Sequence, residues 1–168
     1  MTLKTIEFAR EREAIPFAVF KPTGFGRLAL YEKVGDKAHL TENEQKEWNR
    51  VIERFDIACK TAFEKDVLLL IDAEESWMQD AADAIVTDMM RKYNKQKAIV
   101  FNTLQMYRWD RLDYLRNLHE QAIAEGFYIG MKLVRGAYME KEDERAAERG
   151  QKSPICESKE ATDINYDA

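Results

Sequence analysis

The chain has 168 residues, 34% of them charged and 45% hydrophobic, with a formal net charge of -5. That acidic balance excludes general affinity for nucleic acid, which needs a basic surface. No apolar stretch approaches membrane-spanning length and the start lacks a signal-peptide core, so a soluble, intracellular globular chain without a transmembrane segment is expected.

The first apolar run, Phe17 to Phe20, ends in Lys21-Pro22-Thr23-Gly24. Gly24-Phe25-Gly26 lacks the third glycine of a dinucleotide-binding turn and precedes only a weak helix. Thr41 followed by Glu44 reads as a capping box, after which Trp48, Val51, Ile52, Phe55 and Ala62 fall on one face of a helix to about Glu64. Val67 to Ile71 is the second run, closed by Asp72-Ala73-Glu74-Glu75. Ser76 and Gln79 repeat the capping pattern ahead of Ala82, Ile85, Met89 and Tyr93.

Ala98 to Phe101 is the third run, and Asn102 reads as an ordinary loop start beside Thr103 and Gln105. Leu112, Leu115, Leu118 and Ala122 mark a third helix that stops at Gly126. In the fourth unit two cations interrupt a strand over 129–134, Gly136 closes it, and a charge-dense helix expected to be a solvated outer one starts near Met139. Thr162 to Ala168 reads as the opening of another helix. The four strands are expected near 17–21, 67–71, 98–102 and 129–134. Each run is continuously apolar, as a strand covered on both faces would be.

Strand and helix alternating four times is the pattern of a parallel sheet with right-handed crossovers. Functional residues spread over several strand ends favour a (β/α)8 TIM-like barrel over a doubly wound sheet. A complete barrel takes about 250 residues, so residues 1–168 are expected to be a partial barrel, about the first four βα units of a longer chain. The exposed strand edge of such a piece predicts self-association.

Several strand-end residues carry chemistry. Asp72 follows five aliphatic residues, so a buried carboxylate there needs a cationic partner. Lys21 is an anion anchor, or an amine nucleophile if burial lowers its pKa, or a lysine reaching into water. Lys132 and Arg135 favour bound negative charge, Gly136 permits close backbone approach and Tyr138 supplies an aromatic wall. Glu74 reads equally as a site residue or as the start of a helix. Trp48, Phe55, Trp77, Tyr93 and Trp109 read as packing against the sheet. Cys59 and Cys156 share no ligand spacing with each other or with His39 and His119, so no metal site or disulfide is expected.

Ala18-Val19-Phe20-Lys21, Leu69 to Glu74, Phe101 to Tyr107, Lys132 to Tyr138, and Lys159 with Thr162-Asp163 and Tyr166 occur in this order, and together they resemble the proline dehydrogenase family, including the proline dehydrogenase half of proline utilization A. The resemblance implies a barrel holding FAD at its strand carboxyl ends, which oxidises L-proline to 1-pyrroline-5-carboxylate with hydride passing to flavin N5. It implies that Lys21 holds the proline carboxylate, that Asp72 and Lys132 are the catalytic pair, and that Leu133 and Tyr138 wall the proline ring. Ala73, Gln105, Val134, Arg135 and Gly136 would touch FAD, with Gln105 on the isoalloxazine edge. Many family members carry Arg where Lys132 stands and Lys where Arg135 stands. A late helix with paired arginines, which closes the family's substrate site, has no counterpart in these residues.

The resemblance further implies a quinone or other electron acceptor, with peripheral membrane contact, and a place in the bacterial cytoplasm or at the inner membrane, or in the mitochondrion of a eukaryote. Two other readings remain on the sequence alone: a Schiff-base aldolase using Lys21 or Lys132, and a non-catalytic half-barrel that binds a partner.

Overall fold

A computed structural model describes residues 2–168. Its centre is a parallel sheet of β1 (Phe17–Phe20), β2 (Leu68–Ile71), β3 (Val100–Gln105) and β4 (Met131–Val134), in the order β1-β2-β3-β4. Order equal to chain order, with no reversal, is that of a TIM-like barrel; a doubly wound sheet would reverse at a switch point. The structure is therefore four neighbouring strands of a (β/α)8 barrel with their helices.

The long helix α3 (Glu42–Lys65) starts where the sequence says it should. Thr41 Oγ1 accepts from the Glu44 amide at 3.3 Å and Glu44 Oε2 accepts from the Thr41 amide at 2.9 Å, so two otherwise orphaned donors are satisfied reciprocally. Trp48, Val51, Phe55 and Ala62 face the core with Ala58 and Cys59, whereas Ile52 is 38% exposed. The wide apolar stripe overreached by one residue, because Ile52 directly follows Val51 and turns about 100° away.

Ahead of α3, α1 (Thr2–Arg10) and α2 (Leu28–Gly35) had no strong sequence signal. Ile6 and Ala9 fix α1 in the core, and Tyr31 anchors α2, its hydroxyl donating to the Pro22 carbonyl at 2.8 Å and its ring lying edge-on to Trp48 at 5.2 Å.

The capping box expected at Ser76 does not form. Ser76 is the first residue inside α4 (Ser76–Tyr93), whose N-cap is Glu75. The Ser76 amide and hydroxyl instead donate to Glu142 at 2.6 and 2.5 Å, and Gln79 Oε1 accepts from the Glu74 amide at 3.0 Å. A carboxylate from 66 residues downstream thus replaces the local cap. Ala82, Ile85, Met89 and Tyr93 are buried as expected.

β3 starts later and runs further than its apolar letters. Asn102, Thr103 and Gln105 lie inside it and are 1, 3 and 1% exposed, so Asn102 is not a loop residue. Asn102 Nδ2 donates to Asp83 Oδ1 at 2.8 Å, and Asp83 also accepts from Gln79 at 2.7 Å and from the buried Arg111 at 2.5 Å. That polar cluster joins α4, β3 and α5 (Arg111–Glu125), and its members are buried because they satisfy one another. Helix α5 ends at Gly126, whose φ of 67° is the left-handed conformation that glycine adopts freely.

The continuous runs predicted burial on both faces. Ala18, Phe20, Leu69, Ile71, Val100 and Leu104 are covered by helices, but on the other face Val19 is 42% exposed and Phe17 and Phe101 are half-buried, meeting edge-on at 5.0 Å. This second face is the one a barrel turns inward, where cover comes from strands across the barrel. At the sheet's opposite end the buried Asn94 ties β3 and β4 together, accepting from the Ile99 and Val100 amides and donating to the Val100 and Tyr128 carbonyls at 2.8–3.0 Å.

After β4, α6 (Met139–Arg149) is solvated as its charge density predicts, except that Glu142 and Ala146 are buried. Helix α7 (Lys159–Asp167) follows. Trp109 is 52% exposed rather than packed on the sheet; its indole nitrogen donates to the Ser153 carbonyl at 3.0 Å. Among the described residues no helix is long and apolar enough to cross a membrane, no acidic, Cys or His cluster could hold a metal, and both cysteines are free.

Candidate active site

Strands in register project side chains in rows, and the pairings Thr103 with Lys132 and Gln105 with Val134 put these four on one face. The same face ends in Lys21 on β1 and Asp72 on β2. Together they bound a cleft of about 190 Å3 at the carboxyl end of the sheet, with Ala73, Tyr107 and the turn Gly136-Ala137-Tyr138 completing its walls. This is where a barrel places its ligands.

Two ion or hydrogen-bond pairs organise the cleft. Lys132 Nζ donates to Asp72 Oδ1, which supplies the cationic partner that the carboxylate's position required. Lys21 Nζ donates to Tyr138 Oη at 3.1 Å and stands 5.8 Å from the centre of its ring. That hydrogen bond, ahead of the smaller attractions to Glu74 and Asp72, raises the Lys21 pKa above the usual lysine value. The Tyr138 backbone is itself left-handed, φ 58°, a conformation costing a non-glycine residue about 1 kcal/mol or more. The strain is held at the point where the strand turns into α6.

Gln105 is fixed by three partners. Its Nε2 donates to the Glu74 carbonyl at 2.6 Å and to Tyr107 Oη at 2.7 Å, and its Oε1 accepts from Arg108 Nη1 at 3.3 Å. Glu74 supports the scaffold instead of lining the cleft. Its carboxylate accepts from the Thr23 hydroxyl at 2.8 Å and the Thr23 amide at 2.9 Å, binding the loop after β1 to the loop after β2.

Of the residues that the sequence nominates, Lys21, Asp72, Ala73, Gln105, Lys132, Val134, Gly136 and Tyr138 meet at this cleft. Leu133 and Arg135 do not. Leu133 pairs with Leu104 and alternation turns it to the opposite face from Lys132. Arg135 is drawn to α7, donating to Asp163 at 2.8 Å and Asp167 at 3.2 Å and stacking 4.1 Å over Tyr166. Thr103 and Tyr107 line the cleft without having been singled out, although their spacing of two from Gln105 along an extended chain signals a shared face. A larger cleft of about 490 Å3 lies between α4 and α5, but its carboxylates and arginines hold none of the nominated residues.

The family described as proline dehydrogenase matches residues 2–168. Over 167 residues the chain is 34% identical to the carbapenem antibiotics biosynthesis protein CarD of Pectobacterium carotovorum subsp. carotovorum, covering 99% of this chain and 43% of that protein. It is 40% identical over 129 residues to the mitochondrial proline dehydrogenase 1 of Homo sapiens, covering 77% of this chain and 22% of that one. Among solved structures, proline utilization A of Bradyrhizobium japonicum superposes with a TM-score of 0.80 at 19% identity, covering 98% of this chain and 17% of that chain. The enzyme of the same name from Bdellovibrio bacteriovorus, inactivated by N-propargylglycine, gives 0.74 at 21%, covering 88% and 14%. The chain spans less than half the length of these curated relatives, and the structural likenesses concern the fold.

Proposed function

The chain belongs to the proline dehydrogenase family, and on that premise we propose that its protein oxidises L-proline to 1-pyrroline-5-carboxylate with FAD, residues 1–168 forming part of the barrel that holds both. The observation that carries this reading is the convergence of Lys21, Asp72, Gln105, Lys132 and Tyr138 on one cleft from four neighbouring strands.

Lys21 stays protonated at neutral pH because its pKa is raised, and its ammonium pairs with the substrate carboxylate while Tyr138 fixes its position. Asp72 holds the Lys132 ammonium in place, so a point charge stands at a fixed spot on the cleft wall. The Tyr138 ring, at the edge of the cleft, excludes water from the substrate ring. Leu133 and Arg135, which face elsewhere, are left out of these roles.

The residues present fit a flavin. Gln105 and Tyr107 offer hydrogen-bonding groups, Lys132 offers positive charge beside them, and at Gly136 the nearest atom to an added side chain would be Met139 Sδ at 3.4 Å, so a ring can approach its backbone. Ala73 and Val134 line the same wall. When bound, FAD supplies the two-electron acceptor that takes a hydride at N5, from which electrons leave to a quinone or other acceptor. A cleft of about 190 Å3 has room for proline and a ring edge, the rest of the dinucleotide lying outside it. A membrane quinone as acceptor entails peripheral membrane contact, at the mitochondrial or bacterial inner membrane.

The aldolase reading is disfavoured because a Schiff-base lysine needs a neutral amine. The Lys21 pKa is shifted the other way, and Lys132 is engaged by a carboxylate. Purified protein supplied with FAD, proline and a dye acceptor tests the proposal. Reduction of dye in proportion to bound flavin is expected, and a protein that retains no flavin refutes it.

A further inference from the structure

Gln105 carries the most constrained polar group in the cleft. A backbone carbonyl only accepts and a guanidinium only donates, so with Glu74 O on its Nε2 and Arg108 on its Oε1 the amide cannot be turned end for end. Arg108 is itself clamped, its Nε and Nη2 donating to the two carboxylate oxygens of Asp110 at 3.0 and 2.7 Å, and it is 5% exposed.

The unused bonding capacity follows. Both Nε2 protons are engaged, which leaves Gln105 one free lone pair on Oε1. Tyr107 Oη accepts from Gln105, which leaves its own proton to donate. Burial pushes the Tyr107 hydroxyl up to about 12, so that proton is retained at any working pH. An acceptor beside a donor on one wall is the complement of a ring edge carrying N–H beside C=O.

The geometry points to Gln105 Oε1 and Tyr107 Oη as a paired reader of a cis-amide ring edge, with Arg108 and Asp110 as positioning residues. This rests on the flavin reading above, within which the pair addresses the ring N3–H and its neighbouring carbonyl. Tyr107 is then a specificity residue, and the amide's fixed orientation is what separates a flavin from a ring lacking that edge.

Affinities of the intact apoenzyme for FAD and for 3-methyl-FAD, read by flavin fluorescence, test it. Wild type is expected to hold 3-methyl-FAD at least about tenfold more weakly, since a buried acceptor is left without its donor. Gln105→Leu keeps the bulk and removes the acceptor, so it should weaken FAD and collapse the discrimination, whereas a steric clash with the methyl group would persist. Tyr107→Phe keeps the shape and should weaken FAD about fivefold while shifting the flavin visible spectrum. Arg108→Gln should narrow the ratio between the two flavins, and Arg108→Lys should restore part of it. Equal wild-type affinity for both flavins, a methyl penalty unchanged in Gln105→Leu, or a Tyr107→Phe protein with wild-type affinity and spectrum overturns the pairing while leaving the flavin reading intact. A wild type that binds neither flavin refutes that reading and this inference together.

Discussion

Asp72→Asn keeps the shape of the side chain and removes its charge, which separates what the Asp72–Lys132 pair does for stability from what it does for chemistry. Lys132 is 40% exposed and Asp72 25%, so water already screens much of the attraction. After that discount the pair contributes about 1 kcal/mol to folding, which for a domain of this size corresponds to a melting-temperature change of about 2–4 °C. The effect on turnover is larger, because Lys132 loses the partner that fixes its ammonium and a displacement of about 1 Å near reacting atoms costs on the order of a hundredfold. The intact enzyme carrying Asp72→Asn is therefore expected to keep its flavin, to melt within a few degrees of wild type and to lose about two orders of magnitude in kcat/KM. Flavin absorbance per protein, calorimetry and dye reduction with proline measure the three quantities. Flavin loss parallel to the loss of turnover would show that Asp72 serves the cofactor rather than the substrate side of the cleft, and the assignment would fail.

Asp83→Ala strands Arg111, 1% exposed, without its carboxylate; urea unfolding should show a loss of about 3–5 kcal/mol, and Asp83→Leu with Arg111→Leu should recover most of it. Glu44 has its pKa lowered to about 2, by the Lys33 hydrogen bond first and by the Thr41 amide next. Its contribution is full above its ordinary value of 4.5 and is lost as pH falls toward about 2, so Glu44→Gln should flatten the melting temperature against pH in that window. The 168-residue chain by itself should give no measurable proline turnover and should elute as more than its 19.7 kDa, since one edge each of β1 and β4 is unpaired among the described residues; turnover by a monomer, read by light scattering beside the dye assay, contradicts this.

Strands β1 to β4 were legible because an apolar run ending in polar residues is a local signal, and α3 because its capping box spans only four residues. Asn102 was misread because its burial depends on Asp83, Gln79 and Arg111, partners from two helices that no sequence window contains. The Ser76 motif failed for a like reason, since Glu142 competes for the same donors from across the fold. Within the site, Asp72 announced its need for a cation by position alone, and the structure supplies Lys132. Arg135 and Lys132 look alike in sequence. The few residues of strand and turn between them decide that one enters the cleft while the other leaves for Asp163. Tyr107 stayed hidden because a tyrosine after a strand reads as packing until its hydroxyl is seen on Gln105.

The cap that Glu142 places on Ser76 sets an order of events as the chain folds. A first helical turn has amide donors with no partner of their own, and the start of α4 must wait for a residue that emerges 66 positions later. Contacts so distant in sequence form late, after loop closure has been achieved by other means. The segment from Asp72 to Ser76 therefore stays open until α6 docks, and the carboxylate of the cleft reaches its final place only with the last helices. Deuterium uptake at the Ser76 amide during refolding would then be a clock for completion of the cleft, running behind the amides of α3, whose own cap is already in hand.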